Sequence, residues 1–303
     1  MSSALIELSN GLADAVERAG RSVVAVNEGG QSGVSGTLWR DAVVVTAEHT
    51  IRGEEKVTLV LPSGDNASAT VAGRDPSTDL AVLKLETAAG TVAELADPGQ
   101  VRVGQIVLAI GRRGRTGLSA SYGVIGARGG AWRTWSGGRI DHSLRLDLTP
   151  YPGFSGGPLV DVHGRVLGIN TSGPRRSVLT IPAPTVNRVV DQLLAKGRIA
   201  RGYLGAGLQP VRISEALQKT LRLERDRGLL VVMLAPGGPA DTAGIMIGDI
   251  VVAVPGQSIH DLADLQAVLD PEQVGNTFPV RILRGGALTD VKLTVGERGE
   301  REP

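Results

Sequence analysis

The chain has 303 residues, 42% of them hydrophobic and 21% charged, with a formal net charge of +1. A near-neutral balance carries no nucleic-acid footprint, and the absence of cysteine excludes disulfides, zinc–thiolate sites and cysteine catalysis. Forty-two glycines against 3% aromatics favour short strands and many turns, a mostly β chain long enough for two domains.

Leu5, Leu8, Leu12 and Val16 recur at three- and four-residue spacing, which predicts an N-terminal helix over residues 1–20 closed by Gly20. The opening residues lack the basic leader and unbroken apolar stretch of a secretory signal. The longest apolar run, LLVVMLA at 229–235, is far too short to span a membrane. A native start at Met1 therefore implies a cytoplasmic protein, whereas a chain trimmed from a longer precursor would be periplasmic or otherwise extracytoplasmic.

From about residue 22 to 182 the pattern changes to short β-rich runs, among them SVVAVN, AVVVTA, KVTLVL, LAVLKL, QIVLAIG, SYGVIGA and SLRLDL. Gly, Asp, Asn and Pro separate them, which predicts a sandwich or barrel. A helix follows in PTVNRVVDQLLAKG, with Val186, Val189, Val190, Leu193 and Leu194 on one face and Gly197 at its end. It closes a domain over residues 21–198. Residues 199–303 form a second, in which strands mix with two helices, PADTAG and DLADLQAVL.

Gly153-Phe154-Ser155-Gly156-Gly157 places a serine on a tight turn. The nucleophile elbow of α/β-hydrolases needs a helix directly after such a serine. Here Pro158 leads into LVDVHGRVLGIN, two apolar runs about a His163-Gly164 turn, which predicts a hairpin and removes the elbow. The other arrangement is histidine, then aspartate, then serine. His49 ends the apolar strand of VVVTAEHTI, a rigid support for a general base. Asp79 precedes the apolar strand of DPSTDLAVLKL, where a carboxylate can be aimed at an imidazole. With Ser155 they form the set in which imidazole takes the serine proton and the carboxylate fixes the tautomer.

Taken singly, a strand-end histidine and a turn aspartate have ordinary structural roles. The ordered set is what points to acyl transfer. His142 is the rival base, His163 falls in the hairpin turn, and His260 lies in the second domain. No two histidines have metal-ligand spacing, and no metal or cofactor is expected. The Arg-rich stretch GRRGRTG at 111–117 reads as a solvated charged loop rather than a phosphate site.

VVVTAEHTI, DPSTDLAVLKL and PGFSGGPLVDVHGRVLGIN together resemble the three catalytic blocks of the HtrA (high-temperature-requirement) serine proteases. ARGYLGAGLQPV resembles that family's segment between protease and PDZ domain, and PGGPADTAGIMIGDIVVAVPGQSI resembles the PDZ interior. The resemblance runs from about residue 12 to 297. It implies a chymotrypsin-like double β-barrel with His49, Asp79 and Ser155 between its halves, followed by a small α+β PDZ domain. It further implies an oxyanion hole from the backbone N–H groups of Gly153 and Ser155. A specificity pocket for small aliphatic residues would involve Thr149, Phe154, Asn170 and Leu179. Tyr203, Leu204, Gly205 and Ala206 would bind C-terminal or extended peptides. The implied substrates are unfolded or damaged polypeptides, and the implied assembly is a homotrimer.

Three departures surround the site. Ala47-Glu48 stand where the family usually has Asn-Ala, Phe154 where it has Asn, and Tyr151 where Asn is common, while Asp147 is kept. These altered loops leave a second reading, a peptide-binding or holdase protein on a protease fold that no longer cuts.

Overall fold

A computed structural model describes residues 2–27, 33–53, 55–114, 117–134, 137–149, 151–173, 178–266, 268–270 and 273–297. The chain divides into two units, Met1–Ile199 and Ala200–Pro303.

Unit 1 begins with α1 (Ser2–Gly20). Its packed face is Ala15 and Ala19, both buried, with Leu12 and Val16 partly so; Leu5 and Leu8 remain 72% and 48% exposed. The expected apolar stripe is thus used only in its C-terminal half. Gly20 is not a left-handed cap. It is needed for space, since a Cβ there would meet Leu118 Cδ1 at 2.2 Å.

Six antiparallel strands then close a barrel: β1 (Val23–Asn27), β2 (Val34–Arg40), β3 (Val43–Ala47), β4 (Lys56–Val60), β5 (Asn66–Asp75) and β6 (Leu80–Leu85), in the order β1-β2-β3-β6-β5-β4. Val24, Leu38, Val44, Leu59, Ala81 and Leu83 are buried inside it. Strand β3 is buried on both faces, because Val43 and Val45 pack outward on a second cluster. This explains why its sequence is a continuous apolar run rather than an alternation.

The second half contains β7 (Ile106–Arg112), β8 (Leu118–Gly129), a short pair β9 (Trp132–Arg133) and β10 (Arg139–Ile140), β11 (Ser143–Asp147), β12 (Pro158–Val160), β13 (Val166–Ser172) and β14 (Val178–Pro182). Its six-stranded sheet runs β11-β8-β7-β12-β13-β14, and the edge strands β11 and β14 approach each other. Val107, Ala109, Ile125, Leu144, Leu159 and Leu167 fill the interior. The expected hairpin is β12–β13, its turn tied by the Asp161 carboxylate, which accepts from the amides of His163 and Arg165, both at 2.9 Å. One further cluster, including Val45, Leu80, Leu108 and Ile169, joins the halves to α2 (Ala183–Lys196). Val186, Val189, Val190 and Leu193 are buried as expected, but Leu194 is 39% exposed and lies off that face.

The loop reading of 111–117 needs correction. Arg112 ends β7, and its guanidinium donates to the carbonyls of Val23 at 2.7 Å and Gly20 at 3.1 Å. It ties the second half to the first instead of facing solvent. Residues 115 and 116 lie outside the described residues, as do 28–32 of the loop before β2.

Unit 2 comprises β15 (Gly202–Tyr203), β16 (Ala206–Arg212), α3 (Glu215–Leu221), β17 (Arg227–Leu234), α4 (Pro239–Thr242), β18 (Ile250–Val254), β19 (Gln257–Ser258), α5 (Leu262–Gln266), β20 (Thr277–Arg284), β21 (Ala287–Thr294) and β22 (Gly296–Glu297). The main sheet runs β16-β17-β18-β20-β21, with β19 paired to β18 and β15 to β22. Both expected helices form, as α4 and α5. A third, α3, was not read from the sequence although Ser214 caps it by accepting from the Leu217 amide.

Candidate active site

Strand β3 runs into a single 3-10 turn, Glu48–Thr50, which delivers His49 to Asp79 at the start of β6. His49 Nδ1 lies 2.7 Å from Asp79 Oδ2, and the His49 amide donates to Asp79 Oδ1 at 2.8 Å. An ionised carboxylate only accepts, so Nδ1 carries the proton and Nε2 keeps its lone pair. The Thr171 hydroxyl donates to the same Oδ2, and the Glu48 amide donates to the Asp79 carbonyl at 3.1 Å.

Asp79 itself has φ 57°, in the left-handed region that non-glycine residues seldom occupy. Asp75 supports this turn. Its buried carboxylate accepts from the Ser77 amide at 3.0 Å and from the hydroxyls of Ser77 and Thr78. Neither Asp75 nor Thr171 was singled out in the sequence. For Asp75 a signal existed, since Asp-Pro-Ser-Thr is a ready Asx turn.

The hydrogen bond to Asp79 raises the His49 pKa above the ordinary histidine value; burial opposes this, and the charges of Asp79 and Glu48 add to it. Burial by itself raises Asp79, but hydrogen bonds from His49 and Thr171 outweigh it and hold the carboxyl below its ordinary value. Glu48 is raised by burial and by the charge of Asp79, against the opposing influence of Arg74 and His49. The rival base His142 has its pKa lowered, first by burial and then by Arg128.

Ser155 sits on a loop clamped from β2. The Ser35 hydroxyl donates to the Gly153 carbonyl at 2.6 Å, the Ser35 amide to the Ser155 carbonyl at 3.0 Å, and the Thr37 hydroxyl to the Gly156 carbonyl at 3.1 Å. The Gly156 amide donates to the Asn170 carbonyl at 2.8 Å, beside the Thr171 that holds Asp79. Gly156 has no room for a side chain, since a Cβ would lie 2.0 Å from the Ser35 carbonyl oxygen and 2.4 Å from Thr46 Oγ1. Thr46 belongs to β3, so the serine loop lies against the strand that carries His49.

With those carbonyls engaged by β2, the amides of Gly153 and Ser155 have no acceptor among the described residues. His49 is held through Nδ1, and no hydrogen bond joins its Nε2 to Ser155 Oγ. Catalytic hydrogen bonds are commonly loose before substrate binds. A tethered imidazole with a free Nε2, an adjoining serine loop and two unpaired amides constitute equipment for nucleophilic acyl transfer.

Residues 34–169 match the trypsin-like peptidase domain family, and residues 202–295 match the PDZ domain family. A probable periplasmic DegP-like serine endoprotease of Brucella suis is 34% identical over 263 residues, covering 84% of this chain and 50% of the relative. A relative of the same description from Rhizobium meliloti is 35% identical over 266 residues, covering 86% of this chain and 52% of its own. The chain therefore spans about half the length of the curated relatives it matches. Among solved structures, the serine endoprotease from Yersinia pestis is 28% identical with a TM-score of 0.77, covering 95% of this chain and 98% of that one. The HtrA-type protease AlgW with tripeptide is 26% identical with a TM-score of 0.75, covering 95% and 97%.

The chain joins a trypsin-like peptidase domain to one PDZ domain, and its relatives are DegP-like and HtrA-type serine proteases.

Packing explains one departure from the usual HtrA pattern. Phe154 is 4% exposed, lies in the apolar interior of the second half, and meets Tyr151 edge-to-face with ring centroids 5.6 Å apart. It anchors the loop by burial where a polar residue would use hydrogen bonds. Its ring is therefore core rather than an open pocket wall. The other residues expected to form a specificity pocket differ in exposure: Thr149 is exposed, Leu179 half-buried and Asn170 buried, with its Oδ1 accepting from Thr180 at 2.8 Å. Residues 150 and 174–177 of those loops lie outside the described residues.

In the PDZ unit, Tyr203 ends β15, Leu204 is buried, Gly205 has φ 71° and Ala206 opens β16. The carbonyls of Leu204 and Gly205 accept from Ala240 at 2.8 Å and Ala235 at 2.7 Å, while their amides find no acceptor among the described residues. Leu204, Ala206 and Leu208 share one apolar pocket with Leu265 of α5 and Phe278. Strand β16 is the edge of its sheet.

Proposed function

We propose that this protein is an ATP-independent serine endopeptidase of protein quality control, cutting unfolded or damaged polypeptides through an acyl-enzyme. His49 Nε2 takes the proton from Ser155 Oγ as that oxygen attacks the scissile carbonyl. Asp79 holds the imidazole in the required tautomer and stabilises the imidazolium that forms. The amides of Gly153 and Ser155 receive the developing oxyanion, an effect worth about 3–4 kcal/mol per donor in comparable sites. His49 then returns the proton to the leaving amine, and water repeats the sequence to release the acid.

The observation that carries this reading is the two-point hold of Asp79 on His49, next to strand β2, which clamps the serine loop. Thr149, Asn170 and Leu179 shape the approach to the reacting carbonyl, with small aliphatic side chains preferred, while the buried Phe154 ring supports the loop from the core side. The PDZ unit binds C-terminal or extended peptide by strand addition to β16, the amides of Leu204 and Gly205 receiving the carboxylate beside Tyr203 and Ala206. Its relatives are named periplasmic, which supports an extracytoplasmic location over a cytoplasmic one.

A homotrimer fits the exposed Leu5, Ile6 and Leu8 of α1, which offer an apolar surface for a neighbouring copy; light scattering giving a monomer at micromolar concentration would remove that part. The activity is tested by digestion of labelled casein. Turnover by the parent and none by Ser155→Ala is expected; equal residual activity in both would mean that Ser155 is not the nucleophile.

A further inference from the structure

The PDZ unit carries a second cavity of about 390 Å³, apart from the apolar pocket beside β16 and sharing with it only Val254. It lies between the segment that follows α3, the β18–β19 hairpin and the β20–β21 pair. Its lining holds four arginines, Arg222, Arg225, Arg227 and Arg281, against one acid, Glu224, a formal charge of +3 in a chain whose total is +1. Arg281 is already clasped by Asp290 at 2.8 and 3.0 Å, and Glu224 accepts from the Ser258 hydroxyl at 2.9 Å. The guanidinium groups of Arg222, Arg225 and Arg227 have no partner among the described residues.

Two local features raise the cost of this arrangement. Arg222 ends α3 in the left-handed region at φ 51°, where glycine or asparagine is the usual choice. Arg227 stands opposite Arg212 across β16 and β17, a like-charge pair. An anionic occupant would relieve that repulsion. The remaining lining includes Leu221, Leu223, Val252 and Leu288, which offers an apolar floor that a bare polyanion cannot use.

We infer that this cavity is a second peptide site, which takes an acidic segment of polypeptide carrying interspersed apolar side chains. Carboxylates pair with Arg222, Arg225 and Arg227, and the apolar side chains settle on the leucines. The site does not depend on catalysis at Ser155, nor on a free C-terminus in the β16 pocket.

The test uses the full chain carrying Ser155→Ala and a fluorescent, C-terminally amidated peptide of interspersed Glu and Leu, read by anisotropy. Binding that weakens with added salt is expected. Arg222→Gln with Arg225→Gln and Arg227→Gln should weaken it about tenfold, roughly twofold from each exposed pair. Lysine at all three positions should restore most of it, which separates lost charge from lost folding. A Lys/Leu peptide should not bind. No binding by the parent, equal binding by the triple glutamine variant, or displacement by inorganic polyphosphate at equal or lower concentration would each overturn the inference.

Discussion

Asp79 holds His49 at two points, Oδ2 against the ring Nδ1 at 2.7 Å and Oδ1 against the backbone amide at 2.8 Å. The carboxylate thereby fixes both the tautomer of the base and the turn that presents it. Asp79→Asn leaves an oxygen for the backbone contact but sets an NH2 against Nδ1, which favours the wrong tautomer. We expect kcat on labelled casein to fall about 10⁴-fold with KM little changed. A thermal melt within a few degrees of the parent would show that chemistry, not folding, was lost. Retention of near-parental kcat would contradict the role assigned to Asp79.

Under the proposed mechanism, the raised His49 pKa sets the acid limb of activity. Catalysis requires neutral imidazole, so the midpoint of kcat/KM should lie above about 6.5. Glu48 contributes to that rise, and Glu48→Gln should move the midpoint down. An unmoved limb would exclude Glu48 from the coupling. Stability follows the opposite sense on this group: the contribution of His49 is complete below its unfolded value and is lost as pH rises through the folded one. The contribution of Asp79, whose pKa is lowered, is complete above its unfolded value and is lost as pH falls through the folded one. Thermal melts should therefore show the pair most stabilising between about pH 4 and 6.5, below the range of greatest activity.

Ser35 connects the first barrel to the serine loop through its hydroxyl and its amide. Its hydroxyl also accepts from the Arg112 amide at 2.8 Å. Ser35→Ala should cost about 1–3 kcal/mol by urea unfolding, since a partly buried amide and a partly buried carbonyl lose their partner. Because the Gly153 peptide is then less firmly oriented, the rate of Ser155 acylation should fall by at least about tenfold. Unchanged acylation would show that the clamp does not set the oxyanion geometry.

Phe154 acts as an anchor. Phe154→Ala should cost about 3–5 kcal/mol, and Phe154→Asn at least as much, because an amide would replace the ring in an apolar interior. Both should lower melting temperature and activity together. If Phe154→Asn raised activity at unchanged melting temperature, the ring would be a brake on the loop.

How much of this was legible in the sequence varied with the physics involved. The apolar run of β3, the hairpin after Pro158 and α2 with Gly197 in the left-handed region at φ 71° could be read because each satisfies a local rule. Strands β2 and β5 were not singled out, since Gly, Ser and Asn interrupt their apolar pattern and their partners supply the burial. The order His49, Asp79, Ser155 was visible. The clamp of Ser35 and Thr37 was not, because it joins residues over a hundred positions apart, as in the Ser35–Gly153 bond. Leu5 and Leu194 show the converse limit: helical spacing marks a face but does not determine how much of it is covered.

The central claim is that Ser155 is an activated nucleophile, and a fluorophosphonate probe tests it most directly. The parent should label at Ser155, faster with a free-acid peptide present to settle the loop. Labelling should be absent in Ser155→Ala and strongly slowed in His49→Ala. No Ser155-dependent labelling with or without peptide, in protein whose melt matches a folded chain, would contradict the account and leave a protease fold that binds polypeptide without cutting it.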